Sequence, residues 1–210
     1  MWGEAAISGR PRLRAVRPLV TGAPDPDAPL LVRFAAGDPQ AAEALTARLG
    51  PRCFALALRM LGERGEAEDI AQEAMMRLWR IAPDWRTGEA KVSTWLYRVT
   101  LNLCVDVRRR RRGRMTPLDE VAEPPDPGRS APGRMQDAAR AAALQAALDA
   151  LPERQRQAVV LRHLEGLSNP EIAGIMDIGV LAVESLSARG RKALQGLLAP
   201  RRAELGYDDD

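Results

Sequence analysis

The sequence predicts an all-α protein: two small helical domains joined by a flexible Pro/Gly-rich linker, the second containing a helix-turn-helix. Three observations predict it. Aromatic residues make up only 4% of the 210-residue chain, while Ala and Leu are plentiful; that balance favours helices over sheets. Apolar residues recur at a helical period through two blocks, residues 30–112 and 138–198. Between the blocks, residues 113–137 carry Gly113, Pro117, Pro124, Pro125, Pro127, Gly128, Pro132 and Gly133 with few apolar side chains, the composition of a linker.

Each element has a local reason. Residues 1–29 hold Pro11, Pro18, Pro24, Pro26 and Pro29 and no helical period, and read as a disordered arm or the product of an upstream start codon. Asp38 followed by Pro39 is an N-cap with Pro at the first helical position. Ala42, Leu45, Leu49, Phe54, Leu58 and Leu61 then keep helical spacing until Gly62 stops the run. A second helix spans about residues 65–81, with Ile70, Ala74, Leu78 and Ile81 as its core stripe. Its opposite face shows Asp69, Gln72, Glu73, Met76 and Arg80, and Pro83 ends it. After a loop with Trp85, Arg86 and Gly88, a third helix runs from about Ser93 into five consecutive arginines, Arg108 to Arg112. Leu96, Val99, Leu103 and Val107 form its stripe.

In the second block Leu144, Leu148 and Leu151 share one stripe, and Pro152 restarts a helix carrying Ala158, Val159 and Leu161. Ser168 and Glu171 have the spacing of a capping box. The short helix they open ends near Asp177-Ile178-Gly179, and a longer one follows over residues 180–198. Short helix, tight turn, longer helix is the helix-turn-helix pattern. Residues 199–210 form a C-terminal tail.

The net charge of +3 hides an uneven distribution: residues 30–114 carry +6 and residues 115–137 carry −3. The Arg108–Arg112 run reads either as a phosphate-binding stripe or as a solvated helix end whose cations suit the helix dipole. The longest apolar run, Cys53 to Leu58, is too short to span a bilayer. Cys53 and Cys104 have no CxxC partner, which fits a reducing cytoplasm. His163 is the only histidine, and no phosphate loop or dinucleotide fingerprint occurs. The chain therefore reads as a non-enzyme without cofactor, metal site or small-molecule substrate.

Five stretches together resemble the bacterial RNA polymerase sigma factors, in the extracytoplasmic-function (ECF) group of the sigma-70 family. They are Asp69–Ala74, Ser93–Arg98 continuing to Asn102 and Asp106, Leu151–Arg156, Leu167–Met176, and Ala182–Ser185. They lie in the family's order between Leu30 and Leu198. The resemblance implies two helical domains on a flexible linker, with core RNA polymerase, promoter DNA and an anti-sigma protein as partners. It implies that residues 30–112 bind polymerase and the minus-ten promoter element, and that residues 138–198 bind the minus-thirty-five element.

By the same resemblance, Asp69, Gln72, Glu73 and Met76 would contact the polymerase. Trp85, Lys91, Arg98, Asn102, Arg108 and Arg109 would melt and hold the minus-ten strand, with Asn102 at a position that holds a flipped base. Trp95 and Trp79 are assigned to the core. Ala182, Glu184, Ser185, Leu186 and Arg189 would face the minus-thirty-five element. Many relatives are basic at the positions of Glu184 and Leu186. Glu184 can accept from a cytosine amino group and Leu186 can touch a thymine methyl. Alternatively Leu186 replaces Ser187 on the core stripe, because Val183 and Gly190 are spaced for either. A free-standing helix-turn-helix regulator, with residues 30–112 as a sensor or dimerisation domain, is the competing reading. The length and negative charge of residues 113–137 imply a strand held extended between two promoter-bound domains.

Overall fold

The computed structural model describes residues 25–88, 90–113 and 131–202. Residues 1–24, most of the linker and the last eight residues of the tail lie outside them. The described residues form eight α-helices: α1 Ala28–Ala35, α2 Pro39–Leu61, α3 Arg64–Ile81, α4 Val92–Gly113, α5 Ala131–Ala150, α6 Glu153–Val159, α7 Asn169–Met176 and α8 Val180–Leu198. No strand occurs among them.

The expected caps are in place. The Asp38 carboxylate accepts from the Gln40 N–H at 2.9 Å. Gly62 closes α2 in the left-handed region at φ 77°, its N–H donating to the Leu58 carbonyl. Glu63 then caps α3, accepting from the N–H groups of Gly65 and Glu66 at 2.7 and 2.5 Å. Pro51 interrupts α2 without ending it, because only the hydrogen bond to the Ala47 carbonyl is forfeited. The Ser168 hydroxyl and N–H both donate to Glu171 at the start of α7. Asp177 ends α7 at φ 55°, and Gly179 starts α8.

Two boundaries move. The arm placed at residues 1–29 is too long, because residues 25–29 belong to the fold. Asp25 accepts from its neighbour Asp27 and also from the Val92 N–H at 2.8 Å, capping α4 from far away in sequence. Asp27 is buried against Arg48. Burial pushes its carboxyl above the usual carboxylate range, and the Arg48 charge opposes that shift. Pro29 sits in the first turn of α1, where its missing N–H costs no hydrogen bond. Likewise α5 begins at Ala131, inside the segment read as linker, with Pro132 in its first turn. In both places a helix-starting proline looked like loop composition.

The two blocks share one hydrophobic core, running from Leu31 and Leu45 through Leu96 to Leu161, Ile172 and Val183. The expected stripes hold in part: Leu45, Leu49, Leu61, Ile70, Ala74, Leu78, Leu96, Leu103, Leu148 and Leu151 are buried, while Ala42, Phe54, Leu58, Ile81, Val99, Val107 and Leu144 are half-buried; α4 also buries Trp95, Tyr97 and Leu101. Tyr97 and Leu101 are covered from the C-terminal half, α7 packing on α4 in addition to α2 and α3, while Trp95 packs on Trp85. Both cysteines are free and buried, and burial pushes Cys53 up to about 11 and Cys104 to about 12. No helix among the described residues is long and apolar enough to cross a membrane.

Gly190 marks the tightest approach in the C-terminal half. A Cβ there would lie 2.5 Å from Val159 Cγ2 and 3.1 Å from the Gln155 carbonyl oxygen. Gly190→Ala is therefore expected to lift α8 off α6 and destabilise the chain by about 1–3 kcal/mol, as overpacking does. A urea midpoint equal to that of the wild type would show that this contact relaxes freely.

Candidate polymerase and nucleic-acid interfaces

On α3 the row Asp69, Gln72 and Met76 is exposed, Met76 at 45%, while Met75 is buried. The separation follows from the helical period: Ile70, Ala74 and Leu78 take the core side. Beside this row lies an open groove of about 630 Å³, walled by Phe54 of α2 and by Gln72, Met75, Met76 and Trp79 of α3. The face is less acidic than its composition implies. Glu73 is half-buried and bound to Arg77 at 2.7 Å and Arg80 at 3.4 Å on its own helix. The Arg77 hydrogen bond chiefly holds the Glu73 carboxyl below the usual carboxylate range. Asp69 remains as the exposed carboxylate of that row.

The cationic residues expected on the minus-ten side fall into two groups. Arg109 projects into solvent and pairs with Asp106 one turn back among the described residues. Arg108 does not project. It donates to the carbonyl of Met60 at 3.0 Å and to Asp149 of α5 at 2.9 Å. Arg111 donates to the Leu61 carbonyl and pairs with Glu66. These carbonyls end α2, where four acceptors have no partner in the helix and the dipole favours cations. Part of the arginine run thus caps a neighbouring helix, a use that neither a phosphate stripe nor a solvated end describes. The same capping is completed from the C-terminal half: Gln145 donates to the Arg59 carbonyl, and Arg156 to that of Met60. Arg156 is fully buried and also bonds Asp149 at 2.8 Å.

The remaining minus-ten candidates face the helix-turn-helix unit. Lys91 pairs with Glu171 at 3.3 Å, and Arg98 with Asp177 at 3.5 Å. Burial opposes ionisation of Glu171, but the Ser168 bonds and Lys91 outweigh it and hold its carboxyl below the usual range. Asn102 is exposed and lines a cleft of about 350 Å³ with Arg98, Arg154, Gln157 and Asp177. Trp85 does not stand free for stacking; it packs edge-on against the core residue Trp95, with ring centres 6.1 Å apart. Trp79 lies against Phe34 at 4.4 Å.

Sequence reasoning missed the residue that closes this arrangement. After α6 the chain makes a π-helical turn, Val160–Leu164, and the wider turn delivers Glu165 to the N-terminal half. Its carboxylate, 6% exposed, accepts from Arg59 and from the Tyr97 hydroxyl, the latter at 3.0 Å. Burial and then the Glu165 charge push the Tyr97 phenol up. No local sequence signal marks a π turn.

On α8 the core stripe is Val183, Ser187 and Gly190, and Leu186 is half-buried at its edge. That settles the open alternative: Ser187 faces inward. Ala182, Glu184, Ser185 and Arg189 are exposed. Asn169, at the start of α7, donates to Glu184 at 3.3 Å and fixes its carboxylate beside the outer row. Leu181, absent from the sequence-based set, is 81% exposed.

Comparison with known proteins gives two profile matches, Sigma-70 region 2 over residues 45–114 and a Sigma-70 region 4 profile over residues 141–194. The chain is 40% identical over 159 residues to the ECF RNA polymerase sigma factor SigE of Mycolicibacterium smegmatis, covering 73% of this chain and 60% of that protein. It is 31% identical to the RNA polymerase sigma-H factor of Pseudomonas aeruginosa, covering 83% of this chain and 94% of that one. Identity to the ECF RNA polymerase sigma-E factor of Escherichia coli is 30%, covering 83% and 95%. Among solved structures, CnrH in complex with the cytosolic domain of CnrY superposes with a TM-score of 0.64 at 26% identity, covering 83% of this chain and 97% of CnrH. The sigma factor RpoE bound to the anti-sigma factor NepR from Bartonella quintana shares the fold, with a TM-score of 0.59 at 24% identity over 75% of this chain and 96% of that one.

Proposed function

This chain belongs to the extracytoplasmic-function group of the sigma-70 family, and from that premise we propose how its surfaces divide the work of promoter-specific transcription initiation. The chain directs RNA polymerase to promoters, so the free-standing regulator falls away. It acts by binding and not by catalysis, in the cytoplasm, where polymerase and chromosome meet. The α3 row of Asp69, Gln72 and Met76, with its groove, docks on core polymerase. Lys91, Arg98, Asn102 and Arg109 engage the minus-ten strand, where charge tracks the backbone and polar or stacking side chains hold unpaired bases. The outer row of α8 enters the major groove of the minus-thirty-five element. An anti-sigma protein holds the chain in reserve, as the anti-sigma factor NepR is bound to the sigma factor RpoE in one of the superposed structures.

The observation that carries this reading is the pairing of opposite charges across the two halves. Basic residues of the minus-ten side, Lys91 and Arg98, meet carboxylates of the helix-turn-helix unit, Glu171 and Asp177. A surface that holds carboxylates at 3.3–3.5 Å is built to hold phosphates once those carboxylates leave. The halves must therefore part before both promoter elements are bound.

Run-off transcription with core polymerase on genomic fragments tests the function: discrete promoter-dependent transcripts are expected, and none would end the proposal. Asn102→Ala tests the minus-ten assignment. Core binding is expected to stay at the wild-type value, while permanganate reactivity of the melted thymines falls several-fold, the effect of one lost polar base contact of about 1–3 kcal/mol. Full reactivity in the variant would place the base contact elsewhere.

A further inference from the structure

The outward face of α8 has an apolar tip. Leu181, Ser185, Ala188 and Lys192 recur at intervals of four, three and four residues, one face of the helix, and all four are exposed. This face lies opposite the buried stripe of Val183, Ser187 and Gly190. The first turn, Val180-Leu181-Ala182, has no polar side chain, and Gly179 before it adds none. Leu181 is 81% exposed and Val180 beside it 38%. The nearest polar groups on this side are Ser185 and the Glu184 carboxylate, the latter held by Asn169. The first base on the outer surface, Arg189, comes eight residues after Leu181, about 12 Å along the axis at 1.5 Å per residue.

A recognition helix presents its N-terminal residues to base edges in the major groove. The edges there offer hydrogen-bonding groups and one apolar group, the 5-methyl of thymine. With no polar side chain in this turn, its side chains offer no hydrogen bond to a guanine, adenine or cytosine edge, whereas a leucine packed on a methyl needs none. We propose that Leu181 is a specificity-determining residue that reads the 5-methyl group of a thymine in the minus-thirty-five element. The inference rests on α8 being the minus-thirty-five reader. Arg189, Arg191 and Lys192, farther along the helix, supply cations for the flanking phosphates, which position the helix without reading sequence.

The test uses the full chain assembled with core polymerase. Promoters with a randomised minus-thirty-five element are selected by run-off transcription, and each enriched thymine is replaced singly by deoxyuridine, which removes only the methyl. At one position wild-type holoenzyme is expected to lose about fourfold in promoter affinity, the effect of one methyl group leaving an apolar contact. Leu181→Ala, at a position 81% exposed, is expected to fold normally and to bind the thymine and deoxyuridine promoters equally. Unchanged discrimination in Leu181→Ala overturns the inference and leaves the α8 reading standing. A selection that enriches no minus-thirty-five sequence overturns both.

Discussion

The double variant Asp69→Lys, Met76→Lys is expected to weaken binding to core polymerase at least a hundredfold while leaving helicity and melting temperature unchanged. Both side chains point away from the Ile70–Leu78 core stripe, so neither substitution opens a cavity or buries a charge in the folded chain. Met76 is a flexible apolar side chain at the rim of the groove walled by Phe54, Met75 and Trp79, the kind of anchor that a partner helix covers. Replacing it by an ammonium puts an unpaired charge into a desolvated contact, and reversing Asp69 removes an attraction to a basic partner and adds a repulsion. Two such positions at about 2 kcal/mol each give the expected loss. Glu73→Lys is the weaker probe, because it first breaks intrahelical pairs with Arg77 and Arg80 that are worth under about 1 kcal/mol. Titration of labelled protein with core polymerase measures the effect, and an affinity equal to wild type would move the polymerase contact off α3.

The second large effect is expected at Glu165. Its carboxylate is the acceptor for Arg59 and Tyr97 across the two halves, with 6% of the side chain exposed. Glu165→Lys places an ammonium beside the partly exposed Arg59 guanidinium and leaves the Tyr97 hydroxyl without its acceptor. Because the Arg59 side chain is 36% exposed, the cost falls below that of a fully buried pair, at about 2–3 kcal/mol. The residue follows the π turn, so the cost falls on the contact between the halves and not on any helix ladder. Far-ultraviolet circular dichroism is expected to match the wild type, while the radius of gyration in solution scattering rises as the halves part. Wild-type scattering from the variant would show that the Arg156 and Arg108 contacts suffice to keep the halves together.

Local chemistry was legible and distant chemistry was not. Asp38-Pro39, Gly62, Ser168 with Glu171, and Asp177-Ile178-Gly179 each act within a few residues, and each stands where the sequence places it. The sidedness of α3 and the existence of the helix-turn-helix follow from the period of apolar residues in the same way. By contrast Asp25 caps α4 across 67 residues, and Arg108 and Arg111 cap α2 across about 50. An arginine run has the same composition whether it meets phosphates or carbonyls, so only the fold separates those uses. Met76 stands on the outer face where the helical period places it, and Met75, the same residue type one position earlier, is buried. Leu181 escaped notice because an exposed leucine has no period to betray it.

The last turn of α2 has a consequence for assembly. Two of its terminal carbonyls, those of Arg59 and Met60, accept hydrogen bonds from Gln145 and Arg156, which belong to the other half of the chain. Seventeen residues separate Gly113 from Ala131, so one half is never far from the other. Covalent connection of this length keeps the partners at a local concentration of about 1 mM. Cutting the chain between Gly113 and Ala131 removes that local concentration, so contact between the halves is expected to become dependent on protein concentration: on dilution of the cleaved protein the halves part, and the Arg59 and Met60 carbonyls exchange Gln145 and Arg156 for water.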